Sequence, residues 1–156
     1  VSLVLVAAGS SVLAAGTVQV AYVQPEKFAD IGYASRDRED TLQELTKHFE
    51  LLASRHLEDG QKLNVEVLDV DLAGTVQPLT RAGQDLRVFR DSADWPRIQL
   101  RYMLETAGKP ARSGEHKLSD MNYMRYMGGP GSRPPLQAEK RMLDEWFTAQ
   151  FGPAAK

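Results

Sequence analysis

The stretch from Lys62 to Leu72 constrains the fold more than any other part of the sequence. Its apolar residues stand at alternate positions from Leu63 to Val67, as in a strand that buries one face. From Leu68 onward the alternation shifts by one position, and a pleat of period two cannot keep both sets on the same side. The pattern therefore predicts a long strand that either contains a bulge near Val67-Leu68 or is buried on both faces.

Other segments show the same alternation and predict further strands. Thr17–Val23 and Arg97–Leu104 alternate clearly, Ala111–Met121 does so weakly, and a turn at Ala107–Pro110 joins the last two into a hairpin. The segment 75–96 is irregular apart from a short edge strand at Leu86–Phe89. The residues expected to point inward on the hairpin are Ile98, Leu100, Tyr102, Leu104, Gly114, His116 and Leu118.

Two segments have the apolar spacing of helices. Thr41–Leu57 carries apolar residues at three- and four-residue steps, with Asp37 as an earlier alternative start. The second helix follows the loop Gly128–Pro135 and ends near Phe151. Its predicted i,i+4 ion pairs are Lys140–Asp144 and Arg141–Glu145. The order β-α-β-(β)-β-β-α predicts an α+β fold: a mainly antiparallel sheet of four to five strands with two helices packed on one face.

Composition limits the domain organisation and the classes of function. The chain has 156 residues, which suits a single domain over 16–156. Net charge is −2, from 19 basic and 21 acidic residues, and this argues against nucleic-acid binding, which needs a basic excess. The chain has no cysteine, which excludes disulfides, thiolate metal sites and cysteine nucleophiles. No cofactor motif stands out, so we expect neither a cofactor nor a bound metal.

The first segment, Val1–Ala15, has the character of a secretion signal. It contains no charge and consists almost wholly of apolar or small residues, but it is shorter than the about 20 residues that span a bilayer. We predict cleavage after Ala14 or Ala15 and a periplasmic or secreted product without a membrane span. The basic segment and methionine that normally precede such a core are missing, so we expect a signal that is truncated or was started at an alternative codon. Poor strand propensity disfavours the alternative, a buried first strand.

Asp69 and Asp71 form the most prominent acidic pair. On one strand face their side chains lie about 7 Å apart, a spacing compatible with a carboxylate pair or a calcium site. We prefer a structural interpretation, in which they make turn bonds and a salt bridge to Arg97 or Arg101. The alternative is a hydrolase or metal-dependent enzyme built from Asp69, Asp71 and His116, and it requires these three residues to converge in one pocket.

Aromatic and arginine residues near the predicted hairpin form a candidate interaction surface, which comprises Trp95, Arg97, Arg101, Tyr123 and Arg125. Such residues are favoured in protein interfaces, whereas the alternative is half-buried rings covered by arginine stems. The leading hypothesis is a non-enzymatic binding or adaptor domain that contacts an envelope protein or a surface polymer such as a glycan. A small-ligand carrier is the third hypothesis, and it needs a cavity of at least about 300 Å³.

Several short motifs occur together in a consistent order along most of the chain. They are Pro25–Phe28, Asp69–Gly74, Pro96–Tyr102, Leu118–Met121 and Glu139–Phe147. Each is unspecific alone, but as a series they resemble the bacterial domain-of-unknown-function 3016 family, whose members carry an N-terminal signal. The resemblance implies a bacterial envelope protein, and it transfers no catalytic or binding residue to this chain.

Overall fold

The chain forms six strands and two α-helices in a computed structural model that describes residues 15–78, 85–90, 93–128 and 134–154. The strands are β1 (Thr17–Tyr22), β2 (Lys62–Asp71), β3 (Thr75–Pro78), β4 (Asp85–Val88), β5 (Arg97–Glu105) and β6 (Arg112–Ser119). The helices are α1 (Ser35–His56) and α2 (Gln137–Phe151). Residues 1–14 of the predicted signal and residues 129–133 of the predicted loop lie outside the described residues.

The main sheet has the strand order β1-β2-β5-β6. β1 and β2 run parallel because α1 connects them as a crossover, while β2–β5 and β5–β6 are antiparallel pairs. The register between β2 and β5 shifts between Val67 and Asp69, which confirms the predicted bulge. As a result, Val65 and Val70 both face the core although they lie an odd number of positions apart.

Both helices pack on one face of the main sheet, and the predicted α+β class is confirmed. α1 contributes Leu45 and Phe49 to the core, and α2 contributes Leu143 and Phe147. The rings of Phe49 and Phe147 lie 6.1 Å apart between centroids, so the two helices also contact each other. Neither helix, among the described residues, has the length and apolar character that a membrane crossing requires.

The segment 75–96 differs from its predicted structure. β3 and β4 pair with each other in a separate two-stranded sheet, so the segment predicted as an edge strand of the main sheet belongs elsewhere. Gly74 directs the chain away from β2, with φ at +82° and no room for a side chain. A Cβ atom at Gly74 would lie 2.8 Å from the carbonyl oxygen of Val88. β3 is too short for an alternation of apolar residues to reveal it in the sequence.

The predicted start of α1 at Thr41 is wrong, because the helix begins at Ser35. Asp37 stabilises this earlier start by accepting a hydrogen bond from the Ala34 backbone N–H at 3.3 Å. The first turns carry exposed charged residues, whereas Thr41 is the first buried position of the helix. The apolar stripe therefore marks the part of α1 that contacts the sheet, not the whole helix.

One of the two predicted ion pairs on α2 is absent from the structure. Lys140 binds Glu44 of α1 at 2.9 Å, and Asp144 binds His48 of α1 at 2.7 Å, so these two residues do not pair with each other. The second predicted pair, Arg141–Glu145, is present at 3.1 Å. The prediction failed because α1 packs beside α2 and offers partners that local spacing cannot indicate.

Tyr22 at the end of β1 connects that strand to α1. Its hydroxyl donates to the carbonyl oxygen of Leu42 at 3.0 Å and lies 2.9 Å from Thr46 Oγ1. Burial raises the pKa of Tyr22 to about 12, since the charged phenolate would lose its hydration. The hydroxyl thus remains a hydrogen-bond donor at physiological pH.

Candidate functional site: the open face of the sheet

The main sheet has a second face, which no described helix covers and which is called the open face below. The strand alternation places Arg97, Gln99, Arg101 and Met103 of β5 there, opposite the buried set of the same strand. Arg101 has 53% of its side chain exposed, and Met103 is 41% exposed. The open face is therefore accessible from solvent, and it exposes arginine and methionine, two residue types that are enriched in protein interfaces.

Charged side chains on the open face pair across neighbouring strands. Arg101 on β5 binds Glu66 of β2 through its guanidinium. Gln99 Nε2 donates to Glu115 Oε1 of β6 at 2.7 Å, while Glu115 lies directly opposite Arg101 in the β5–β6 register. These exposed pairs contribute little to stability, but they hold the side chains in a defined pattern.

A shallow depression of about 430 Å³ lies on the open face and is lined by residues of β2, β5 and β6. Its lining includes Glu66, Arg101 and Met103 together with the small residues Ser113 and Gly114. The depression places an acid, a base and an apolar side chain around one concavity. It is a candidate contact point for an extended segment of another molecule.

The five residues predicted as an interaction surface do not share one surface. Arg97 and Arg101 lie on the open face, and the Arg97 guanidinium stacks on the half-buried Trp95 ring at 4.8 Å from its centroid. Arg125 is exposed in the short 3-10 segment that follows β6. Tyr123 is 2% exposed and packs in a small satellite core, so it is not available to a partner.

The buried position of Tyr123 has a specific hydrogen-bond cause. Its hydroxyl donates to Asp94 Oδ1 at 2.8 Å and lies 3.1 Å from the carbonyl oxygen of Arg90. Its ring also packs against Phe89, with 6.4 Å between the centroids. The tyrosine therefore anchors the segment that leads into β5, and its aromatic and polar character serves packing.

Asp69 and Asp71 hold the end of β2 to its surroundings. Asp69 Oδ1 accepts from the Ala29 backbone N–H at 2.9 Å, and Asp71 Oδ2 accepts from Arg97 Nη1 at 2.9 Å. Burial raises the pKa of Asp71, and the Arg97 guanidinium opposes that rise. These contacts agree with the structural interpretation of Asp69 and Asp71 that the sequence analysis preferred.

Arg87 of β4 makes the densest set of polar contacts at this end of the sheet. Its guanidinium binds Asp30 with both terminal nitrogens, at 2.8 and 3.0 Å. It also donates to the carbonyl oxygens of Ala73 and Gly74 at 3.2 and 3.3 Å. Asp30 itself exchanges backbone hydrogen bonds with the end of β2. The cluster joins three segments that are far apart in the sequence, and its charges are already paired.

Glu139 is a buried residue that the sequence reasoning missed. It is 3% exposed, and its Oε1 accepts from the Ala73 backbone N–H at 2.7 Å. Burial raises the pKa of Glu139, although the Ala73 N–H and the Arg87 charge act in the opposite direction. Its spacing to Met142 and Leu143 was the available signal, since residues three and four positions apart share one helix face.

His116 does not meet Asp69 and Asp71. It pairs with Leu100 on the covered face, where Nε1 of Trp146 donates to its Nδ1 at 2.8 Å. The two aspartates lie on the other side of the sheet, so the convergence that the enzyme hypothesis requires is absent. In the part of the chain that the structure describes, no group of three or more His, Asp or Glu side chains is placed to hold a metal ion.

Comparison with known proteins identifies the family. The sequence model for the family described as protein of unknown function (DUF3016) matches residues 16–149. Searches of curated proteins and of solved structures each found no match. The matched range runs from just before β1 into the last turns of α2, so it covers both helices and both sheets. The chain therefore belongs to the DUF3016 family of proteins of unknown function.

Proposed function

We propose that this chain is an exported binding domain that contacts a protein partner through the open face of its main sheet. The single observation that carries the proposal is the contrast between the two faces. One face is fully used by the core, whereas the other presents Arg97, Arg101 and Met103 to solvent beside a depression. A surface polymer is the second class of partner, since the same arginine and acidic side chains offer hydrogen bonds to sugars.

The positions of the polar residues favour binding over catalysis. The acids at the strand ends are engaged in structural bonds, with Asp69 on a backbone amide, Asp71 on Arg97 and Asp30 on Arg87. A catalytic pair would need a carboxylate directed into a concave site at the position of a substrate. The depression on the open face is instead bordered by Glu66 and Arg101, which neutralise each other.

The packing between sheet and helices gives the carrier hypothesis no support. Phe49, Leu100, Leu143 and Phe147 fill that space and are each 0% exposed. The depression of about 430 Å³ exceeds the size a small ligand needs, but it is a surface feature of the open face. A depression on the surface can bind a segment of a larger partner, whereas a carrier encloses its small ligand in a cavity.

Site-specific photocrosslinking in the native host tests the proposed face. A photoreactive amino acid is placed at Gln99 or Met103 on the open face, or at Gln43 or Glu50 on the solvent side of α1 as matched controls. We expect one discrete crosslinked product from both open-face positions and none from the α1 positions. Equal products from both sides, or none from the open face, would refute the proposal.

Export is a second part of the proposal and has its own test. The apolar segment Val1–Ala15 is the basis for it. Cell fractionation followed by N-terminal sequencing of the full chain expressed in its host should give a product that begins at Ala15 or Gly16 outside the cytoplasm. A cytoplasmic product that retains Val1 would contradict export and leave the crosslinking result to stand alone.

A further inference from the structure

We propose that a second copy of this chain pairs with the outer edge of β6, so that two main sheets join into one continuous sheet around a two-fold axis at His116. β6 is the last strand of the main sheet and pairs with β5 alone among the described strands. Its residues alternate between exposed and half-buried, and its outer backbone groups are those of an edge strand, which readily template another strand.

Symmetry restricts how two copies of β6 can pair. In an antiparallel pair related by a two-fold axis perpendicular to the sheet, each residue faces one on the same side of the sheet. Because successive residues alternate sides, the axis must lie midway between one residue and the copy of that residue in the second chain. The pairing is therefore defined by the residue at its centre.

The charge pattern of β6 selects one centre. With the axis at His116, Glu115 faces the Lys117 of the second copy and Lys117 faces its Glu115. A centre at Glu115 or Lys117 instead places two like charges directly opposite each other, which is destabilising. If the centre is at Gly114 or Leu118, no acidic residue of β6 faces a basic residue of β6 in the second copy.

The surroundings of Lys117 agree with this pairing. It is exposed on the open face, and it makes no ion pair within the part of the chain that the structure describes. Gly114 lies against the Tyr102 ring on the covered side, and the Leu118 of the second copy would lie opposite Gly114 in this register. The two open faces would lie on the same side of the joined sheet, and one dimer would present the proposed binding surface twice.

Register-specific disulfides test the geometry, because the chain contains no cysteine of its own. Ser113 faces the Ser119 of the second copy in this register, and opposed residues have Cα atoms about 4.5–5.5 Å apart, within disulfide reach. Full-length Ser113→Cys and Ser119→Cys chains, each purified and then mixed under oxidising conditions, should form a disulfide heterodimer. Either variant alone should not crosslink, since two copies of Ser113 lie about 20 Å apart in this pairing.

Charge reversal tests the energetic basis by sedimentation equilibrium. Lys117→Glu changes two attractive contacts of each dimer into two repulsive ones, so we expect the dissociation constant to rise about ten-fold. Combining Lys117→Glu with Glu115→Lys restores both pairs and should return the constant to near the wild-type value. Lys62→Glu is the matched control, since it reverses an exposed cation on β2, away from the β6 edge, and should leave dimerisation unchanged.

Several outcomes overturn the pairing. The pairing is contradicted directly if the wild-type chain remains monomeric at concentrations up to about 100 μM, since dimers of moderate affinity form below that concentration. Crosslinking of either cysteine variant with itself, or open-ended assembly beyond the dimer, would show another register or another edge. A double variant that fails to recover dimerisation while its circular dichroism matches the wild type would equally refute the charge-paired register.

Discussion

The two faces of the main sheet are built from the same strands and have opposite properties. On β5, Ile98 and Leu100 are buried under the helices, while the intervening Gln99 and Arg101 lie on the open face. The covered face carries the apolar burial that drives folding, whereas the open face carries exposed charge pairs that contribute little. Substitutions on the open face should therefore cost less stability than substitutions on the covered face.

The largest expected effect comes from removing a ring on the covered face. Phe147→Ala should lower the free energy of unfolding by about 3–5 kcal/mol, because the side chain is 0% exposed and its loss leaves a cavity beside Phe49. Met103→Ala on the open face should change it by less than about 0.5 kcal/mol. Denaturant titrations of both variants measure the contrast, and similar losses would remove the distinction between the two faces.

The next effect concerns the buried acid at the start of α2. Glu139→Ala should cost about 1–3 kcal/mol, since the Ala73 backbone N–H is left buried without its acceptor. Glu139→Gln keeps an acceptor oxygen and should cost less, which makes it the matched control. Denaturation of both variants measures the difference, and equal losses would indicate that Glu139 matters only through its volume.

The same residue predicts a dependence on pH. Burial raises the pKa of Glu139 in the folded protein above its ordinary value of 4.5, so the folded state holds the proton more tightly than the unfolded state. Its favourable contribution is complete below the unfolded pKa and is lost as pH rises through the folded pKa. The stability of Glu139→Gln relative to the wild type should therefore improve as pH rises from the unfolded pKa through the folded pKa of Glu139. A difference that is constant with pH would contradict the burial argument.

A smaller effect is expected where the open face meets the strand ends. The Arg97 guanidinium opposes the rise that burial imposes on the pKa of Asp71. Arg97→Gln removes that charge, so the pKa of Asp71 should rise further, as followed by NMR titration of its carboxyl carbon. Arg101→Gln is the control and should leave Asp71 unchanged, because Arg101 pairs with Glu66.

The smallest expected effect on stability is at Arg101. Arg101→Ala should leave the thermal midpoint unchanged, because the side chain is exposed and its ion pair with Glu66 is screened by water. The same change should abolish the photocrosslinked product from Met103 if the open face binds the proposed partner. A lower thermal midpoint would show that Arg101 stabilises the fold. An unchanged yield of the crosslinked product would show that Arg101 is not part of the binding surface.

Local sequence patterns predicted the elements whose contacts are local or periodic. The shift in alternation at Val67-Leu68 predicted either a bulge or a strand buried on both faces, and the register between β2 and β5 decided for the bulge. The start of α1 was misjudged, since the turn that Asp37 caps contains no buried residue and so extends beyond the apolar stripe. Tyr123 was assigned to the surface because amino-acid type alone does not distinguish an interface tyrosine from one bonded to Asp94.

The sequence by itself determined the family, the α+β class and which side of β5 is buried, because these follow from motif order and from periods of two and 3.6 residues. Only the tertiary structure decided that Glu139 accepts a hydrogen bond from the Ala73 backbone N–H and that Arg87 pairs with Asp30. It also decided that His116 lies away from Asp69 and Asp71. Those relations join residues far apart in the chain, and their geometry depends on how helices and strands pack. A one-dimensional pattern carries no information on which distant polar groups will meet once the core has formed.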